Sequence, residues 1–152
     1  MEENKPQIKN VDCDTQIKQT TSASLKIGIV GSRRRNTLED KKLLGFFLRT
    51  ILQENEGKEI SFVSGGCKKG ADHFAVSLAK FFSVKLVEHL PDKTLLPENP
   101  QRWDFTRINH ARNTLIAEGC DFLVALPADD RTGGTEDTIK KAKSLGKKVF
   151  LL

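Results

Sequence analysis

The 152-residue chain contains no tyrosine, a single tryptophan and a single methionine. Most of its nine phenylalanines fall at positions that we expect to be buried. Few aromatic side chains therefore remain to stack on exposed bases, and this scarcity argues against a surface built for single-stranded nucleic acid. Nucleic-acid binding is therefore the least favoured of the three functions that the sequence allows.

Long apolar runs are also missing, so no segment is predicted to span a membrane. The N-terminus lacks a basic region followed by an apolar run and a small-residue cleavage site, so secretion is not expected. The three cysteines, Cys13, Cys67 and Cys120, are too far apart for a zinc site and odd in number for disulfide pairing. We expect a reduced, cytoplasmic protein without a metal centre, and the sequence indicates no cofactor.

The charge is not evenly distributed along the chain. The net charge is +5, yet residues 1–24 hold three lysines against four acidic residues, so the positive charge belongs to the remainder. A basic folded part favours an anionic partner such as a nucleotide. The alternative is that many of the lysines only solvate helix faces.

Residues 1–24 are polar and poor in apolar residues, and we interpret them as a flexible tail. From residue 25 to residue 152, apolar runs alternate with helical patterns, which predicts one α/β domain with a parallel sheet and helices on both faces. The predicted strands are 25–30, 59–64, 84–89, 121–126 and 148–152, and the predicted helices are 38–54, 71–82, 106–118 and 135–145. Right-handed crossovers then give a Rossmann-like sheet with strand order 3-2-1-4-5.

This strand order makes the first and fourth strands neighbours at the point where the chain changes direction, and ligands of open α/β sheets bind beyond such strand ends. The first strand runs into Gly31, Ser32 and three arginines, of which Arg33 is nearest the strand end. A guanidinium there would hold a phosphate or a carboxylate. The alternative is a solvated basic turn.

Two more strand-to-helix junctions are rich in glycine. The second strand is followed by Gly65, Gly66, Gly70 and Asp72, and the fourth by Gly133-Gly134-Thr135. Glycines let backbone N–H groups approach an anion, and a helix N-terminus favours negative charge. Asp72 either interacts with the helix dipole or binds a sugar hydroxyl or a neighbouring loop.

The predicted helix 106–118 carries Arg112 and Asn113 in its middle, where asparagine is a mediocre helix former, so both are candidate site residues. We expect Arg33 and Arg112 to serve ligand binding rather than folding. His110 is interpreted as a surface or packing residue. The proline-rich segment 90–104 is predicted to be a loop in which Trp103 either stacks on a base or plugs the loop onto the core.

The chain contains four motifs in the following order: Gly31-Ser32-Arg33, Ser64-Gly65-Gly66 with Gly70-Ala71-Asp72, Arg112-Asn113, and Gly133-Gly134-Thr135. Together they resemble the SLOG superfamily, which is named for the DNA-processing protein DprA (Smf) and the LOG cytokinin-activating enzymes. The resemblance covers residues 25–152 and is greatest to the small stand-alone YspA/YpsA-related branch of bacteria and phages. It implies a Rossmann-like fold that binds nucleotides or their derivatives, and a homodimer paired through helices.

LOG enzymes are phosphoribohydrolases, and their hallmark is Pro-Gly-Gly-x-Gly-Thr-x-x-Glu with an arginine on the preceding helix. Arg112 matches that arginine, Gly134-Thr135 match the Gly-Thr, and Thr138 stands where the motif has its glutamate. The leading prediction is therefore a nucleotide-binding sensor or carrier. The enzymatic alternative, cleavage of an N-glycosidic bond in nucleoside monophosphates, needs a carboxylate. The candidates for that carboxylate are Asp72, Glu136, Asp129 and Asp130.

Overall fold

The structure is a computed structural model that describes residues 23–152. The predicted tail, residues 1–24, lies outside the described residues except for its last two positions. Ser24 already belongs to the first strand, which begins one residue earlier than the sequence predicted.

Five strands alternate with four helices in the described part of the chain, and a short 3-10 turn, Lys93–Leu95, precedes the third helix. The strands are β1 (Ser24–Gly31), β2 (Glu59–Ser64), β3 (Lys85–Glu88), β4 (Phe122–Leu126) and β5 (Val149–Leu151). The helices are α1 (Leu38–Glu54), α2 (Ala71–Phe82), α3 (Arg102–Gly119) and α4 (Gly134–Ser144).

The strands form one parallel sheet in the order β3-β2-β1-β4-β5, which confirms the predicted α/β Rossmann-like fold. β1 is central, with Ile27 opposite Phe62 of β2 and Gly31 opposite Leu126 of β4. The carboxyl ends of β1 and β4 therefore lie side by side, and the loops that follow them face the same edge of the sheet.

Alternation along β1 and β4 divides the core into two layers. Ile27 and Ile29 pack with Leu44 of α1 and Phe74 of α2 on one face of the sheet. Val30, with Leu123 and Ala125 of β4, packs with Ile116 of α3 and Ile139 of α4 on the other. Strands buried on both faces are typical of parallel sheets covered by crossover helices, and this arrangement holds the ends of the four helices in place.

The start of α3 corrects the sequence prediction. The helix begins at Arg102, four residues earlier than predicted, because Gln101 and Asp104 form a capping box in which Gln101 N donates to the Asp104 carboxylate at 2.9 Å. Trp103 therefore lies in the first turn of a helix and not in a loop.

Within residues 23–152, no helix has both the length and the apolar character that crossing a membrane requires.

Candidate functional site

A cleft of about 390 Å³ opens at the carboxyl ends of β1 and β4. It is bounded by the β1–α1 loop, the start of α2, the middle of α3 and the start of α4. The lining residues are Val30, Gly31, Ser32, Arg33, Arg34, Cys67, Asp72, Thr106, Asn109, His110, Arg112, Asn113, Ile116, Thr132, Gly133, Gly134, Thr135 and Thr138. The cleft lies where the strand order predicts a ligand site.

The three arginines after β1 have different surroundings. Arg34 makes paired hydrogen bonds to Asp130, which follows β4, at 2.8 and 2.9 Å. Arg35 binds the Asp40 carboxylate at 2.8 Å and thereby fastens the loop to α1. Arg33 lines the cleft, is exposed, and has no side-chain hydrogen bond or ion pair with any residue between 23 and 152. Arg33 is therefore the guanidinium of this loop that is available to an anion.

Asp72 organises the turn after β2. It is 7% exposed and accepts hydrogen bonds from Ser64 Oγ and from Cys67 N, each at 3.0 Å. Burial raises the pKa of this carboxyl, while the two donors and the nearby Arg112 act in the opposite direction. The arrangement agrees with the loop-orienting role that the sequence allowed for Asp72.

The glycines of this turn shape the cleft without lining it. A Cβ on Gly65 would lie 2.6 Å from Arg112 Nη1 and 3.1 Å from Asp72 Oδ2, so only glycine lets both side chains close on the turn. Gly70 has a φ of +76°, and a Cβ there would lie 2.7 Å from Ser32 O. Gly66, with a φ of +74°, also stays off the cleft wall. These three predicted site residues therefore shape the cleft by allowing the backbone conformation of the turn, and they do not line it.

Arg112 connects the second junction to the third. Its Nη1 donates to the carbonyl of Gly65 and, at 3.4 Å, to that of His89, and its Nε donates to Asn113 Oδ1 at 3.0 Å. Asn113 is 5% exposed, and its Nδ2 donates to Gly134 O at 3.3 Å. Arg112 thus has a structural role beside any contact with a ligand, which the sequence alone did not indicate.

The N-terminus of α4 faces the cleft. Gly133 precedes the helix with a φ of +105°, and Gly134 and Thr135, the first two helical residues, line the cleft. A Cβ built on Gly134 meets no atom within 4 Å. The first N–H groups of a helix have no partner inside it, so this end presents donors and a positive dipole to the open space.

Two hydroxyls behind this helix end are buried and unpartnered. Thr135 is 8% exposed and Thr138 is 1% exposed, and both line the cleft. Neither side chain makes a hydrogen bond with any other residue of the part that the structure describes. Buried hydroxyls are normally hydrogen-bonded, so both can donate to or accept from a group that enters the cleft. The sequence singled out Thr138 only as the residue in place of the LOG glutamate.

The carboxylates proposed for catalysis are mostly engaged elsewhere. Glu136 receives two hydrogen bonds from Arg131 at 2.7 and 2.9 Å and does not line the cleft. Asp130 is held by Arg34, whose hydrogen bonds lower the pKa of this carboxyl. Asp129 also lies off the cleft wall, so among the described carboxylates only Asp72 lines it.

Sequence reasoning missed the face that α3 presents to the cleft. His110, interpreted as a surface or packing residue, lines it together with Thr106 and Asn109. Its Nδ1 lies 3.9 Å from an oxygen of Asp137. Positions 106, 109, 110 and 113 lie on one side of a helix, so the spacing from Asn113 was the signal that would have found them.

No family model matches the chain, and no curated protein matches it. Its fold is similar to solved structures. The molybdenum cofactor binding protein of the phototrophic bacterium Rippkaea orientalis has 23% identity and a TM-score of 0.62, covering 84% of this chain and 76% of that one. The molybdenum cofactor carrier protein of Chlamydomonas reinhardtii has 20% identity and a TM-score of 0.59, with the same coverage of both chains.

A third solved structure, TM1055, has 17% identity and a TM-score of 0.56, and the match covers 82% of this chain and 72% of that one. At these identities the likeness shows the fold. It is the Rossmann-like fold that the SLOG resemblance implies.

Metal binding has no evident site in the described residues. Between residues 23 and 152 no three or more His, Cys, Asp or Glu side chains are grouped so as to hold a metal ion. Cys67 and Cys120 are both free thiols, and burial raises the pKa of the Cys120 thiol.

Proposed function

We propose that the cleft binds a nucleotide or a nucleotide-derived ligand through a phosphate group, and that the protein acts as a sensor or carrier. The phosphate would sit at the N-terminus of α4, against the backbone N–H groups of Gly134 and Thr135. Arg33 would approach it from the β1–α1 loop, and Thr135 and Thr138 would supply hydroxyls from behind.

The observation that carries this proposal is the open space at Gly134. The residue has no positive φ, and a Cβ there would touch nothing in the described protein, so neither backbone conformation nor packing calls for glycine. Yet Gly134 lines the cleft at a helix N-terminus. A glycine in that position leaves room for a ligand to contact the backbone directly, which is how phosphates bind at such helix ends.

Charge supports an anionic ligand. Asp72 is the one carboxylate on the wall formed by the described residues, and its pKa is raised because it is buried. The other charged groups on the wall are the guanidinium groups of Arg33, Arg34 and Arg112, of which Arg34 is already paired with Asp130. The charged side chains on the wall therefore carry more positive than negative charge, and this favours an anion in the same sense as the dipole of α4.

Binding without turnover is favoured over phosphoribohydrolase activity. Glycosidic cleavage needs a carboxylate beside the developing oxocarbenium centre. Thr138 takes the place of the LOG glutamate, Glu136 is bound to Arg131, and Asp72 is committed to Ser64 and Cys67. On the same fold, two neighbours are described as a molybdenum cofactor binding protein and a molybdenum cofactor carrier, so a carrier role has precedent.

The SLOG resemblance adds the expectation that the protein belongs to the YspA/YpsA-related branch and forms homodimers. Both points are part of the proposal.

The test is a Gly134→Ala variant with Gly45→Ala as the matched control. Alanine at the start of a helix should not lower the melting temperature, because alanine is the better helix former. Its methyl group would occupy the space that the phosphate needs. We expect ADP, measured by calorimetric titration, to bind Gly134→Ala at least tenfold more weakly than the parent protein. Gly45 lies in α1, where a Cβ would make an ordinary contact of 3.4 Å with Leu78, and Gly45→Ala should bind as the parent does. If Gly134→Ala binds ADP as tightly as Gly45→Ala and the parent protein do, the proposal is contradicted.

The enzymatic alternative has its own test. Incubation of the purified protein with nucleoside monophosphates should release no free base above the rate of a heat-denatured sample. Release at enzyme-like rates, abolished in Asp72→Asn, would overturn the carrier proposal and assign the reaction to a carboxylate at a position different from that in LOG enzymes.

A further inference from the structure

Trp103 is the single tryptophan of the chain, and the residue is 68% exposed in the first turn of α3. Exposing a ring of this size to water is unfavourable, because its apolar surface is more stable when buried. Tryptophan is accordingly highly buried on average. It lies in a second, shallower groove formed by Arg102, Trp103, Thr106 and Arg107. The proposed function makes no use of this groove.

The groove continues into the cleft. Thr106 lines both of them, and the side of α3 that carries Trp103, Thr106 and His110 runs directly from one to the other. Residues three, four and seven apart share a helix face, so the surface between the two is continuous.

The chemistry of the groove suits a planar ring. Arg107 is four residues after Trp103 and therefore projects from the same side of the helix. Its Nη2 lies 3.4 Å from the Asp104 carboxylate and donates to the carbonyl of Leu95 at 3.4 Å. An indole ring and a guanidinium plane on one side of the helix offer two flat surfaces on which a base can stack.

The distance along α3 selects the length of the ligand. Asn113 contacts Gly134 at the proposed phosphate site and lies ten residues after Trp103, which corresponds to about 15 Å at 1.5 Å per residue. Over this span a second phosphate supplies reach that a nucleoside monophosphate lacks. The guanidinium groups of Arg33 and Arg112 on the cleft wall offset the added charge.

We propose that the ligand of the cleft is a nucleoside diphosphate or a derivative of one, whose base stacks on Trp103 beside Arg107 while its second phosphate, counted from the nucleoside, binds at α4. This inference rests on the proposed phosphate site. It adds the class of ligand and assigns Trp103 and Arg107 to its recognition.

The experiment uses the tryptophan as its own reporter. ADP and ADP-ribose are titrated into the full chain while tryptophan fluorescence is recorded, and AMP is titrated as the short ligand. We expect saturable quenching by ADP and ADP-ribose, and binding of AMP at least tenfold weaker, with little quenching.

Trp103→Ala should bind ADP-ribose about tenfold more weakly by calorimetry, which is the effect expected from loss of one stacking contact. Trp103→Phe should retain most of the affinity. The control is Phe81→Ala, since Phe81 is 80% exposed on α2 and does not line the cleft, and its affinity should equal that of the parent.

The outcomes separate the two proposals. If ADP-ribose raises the melting temperature but leaves the fluorescence unchanged, and Trp103→Ala binds like the parent, the ring site is wrong and the phosphate site stands. If none of the three ligands binds in any assay, the phosphate site fails as well. If Trp103→Ala converts a dimer into a monomer at unchanged affinity, the groove is a contact between two copies of the chain, and the ring site is again wrong.

Discussion

Replacing Arg33 and Arg112 by alanine separates a ligand contact from a structural one. Arg112 donates to the carbonyls of Gly65 and His89 and to Asn113 Oδ1, so its removal leaves three partly buried acceptors without a donor. Hydrogen bonds from charged groups contribute about 1.5–3 kcal/mol each. Relaxation and water will recover part of this, and we expect a net loss of about 2 kcal/mol for Arg112→Ala. For a domain of this size that corresponds to a melting temperature lower by about 4–8 °C.

Arg33 has no partner among residues 23–152, so Arg33→Ala should change stability by less than about 0.5 kcal/mol, as surface substitutions usually do. Both variants should bind ADP at least tenfold more weakly, because each removes a charge from the cleft. The assays are thermal unfolding by circular dichroism and calorimetric titration. Arg49→Ala, an exposed arginine on α1, is the control and should match the parent in both. Equal destabilisation by Arg33→Ala and Arg112→Ala, or unchanged affinity in both, would refute this reasoning.

Two further predictions concern acid stability and the tail. Burial opposes ionisation of Asp40 and Asp137. Hydrogen bonds from Arg35 and Thr37 to Asp40 outweigh this effect and lower the pKa of that carboxyl below its usual value. Hydrogen bonds from Lys141 and Asn113 do the same for the pKa of Asp137. The native state therefore favours both ionised carboxylates, so stability present above about pH 4 should be lost as the pH falls through the lowered values. Asp72 has a raised pKa, so its contribution to folding stability has the opposite sign: it becomes less unfavourable as the pH falls and the carboxyl takes up a proton. Urea unfolding across this range measures the slope, which should be shallower in Asp137→Asn; an unchanged slope would contradict the assignment. Deletion of residues 1–22 should leave the melting temperature unchanged within error, and a loss of several degrees would mean that the segment packs on the domain or bridges a dimer.

The sheet order was predictable because apolar runs and helical patterns alternate strictly from residue 25 onward, and right-handed crossovers leave few topologies. The junctions after β2 and β4 were predictable because glycines cluster there, and the junction after β1 because Gly31 and Ser32 precede three arginines. The early start of α3 was not predicted, because its capping residues Gln101 and Asp104 follow Pro100 in a segment whose prolines indicate a loop.

Side-chain partners could not be read from the sequence. Three consecutive arginines look alike along the chain, but Arg34 reaches Asp130 and Arg35 reaches Asp40, and only the folded arrangement leaves Arg33 available. In the same way, Thr138 and His110 become cleft residues because α3 and α4 pack side by side. Contacts between residues far apart in sequence depend on the path of the chain, which residue spacing alone does not contain.

The central claim is that an anionic nucleotide binds at the N-terminus of α4 between the β1–α1 loop and α3. Titration of ADP into the ¹⁵N-labelled protein, followed by amide chemical shifts, tests it directly. We predict that the largest shift changes occur at Gly134 and Thr135, with smaller changes at Ser32, Arg33 and Asn113. Saturable shift changes confined to residues outside the cleft, or no changes at millimolar ADP, would contradict it.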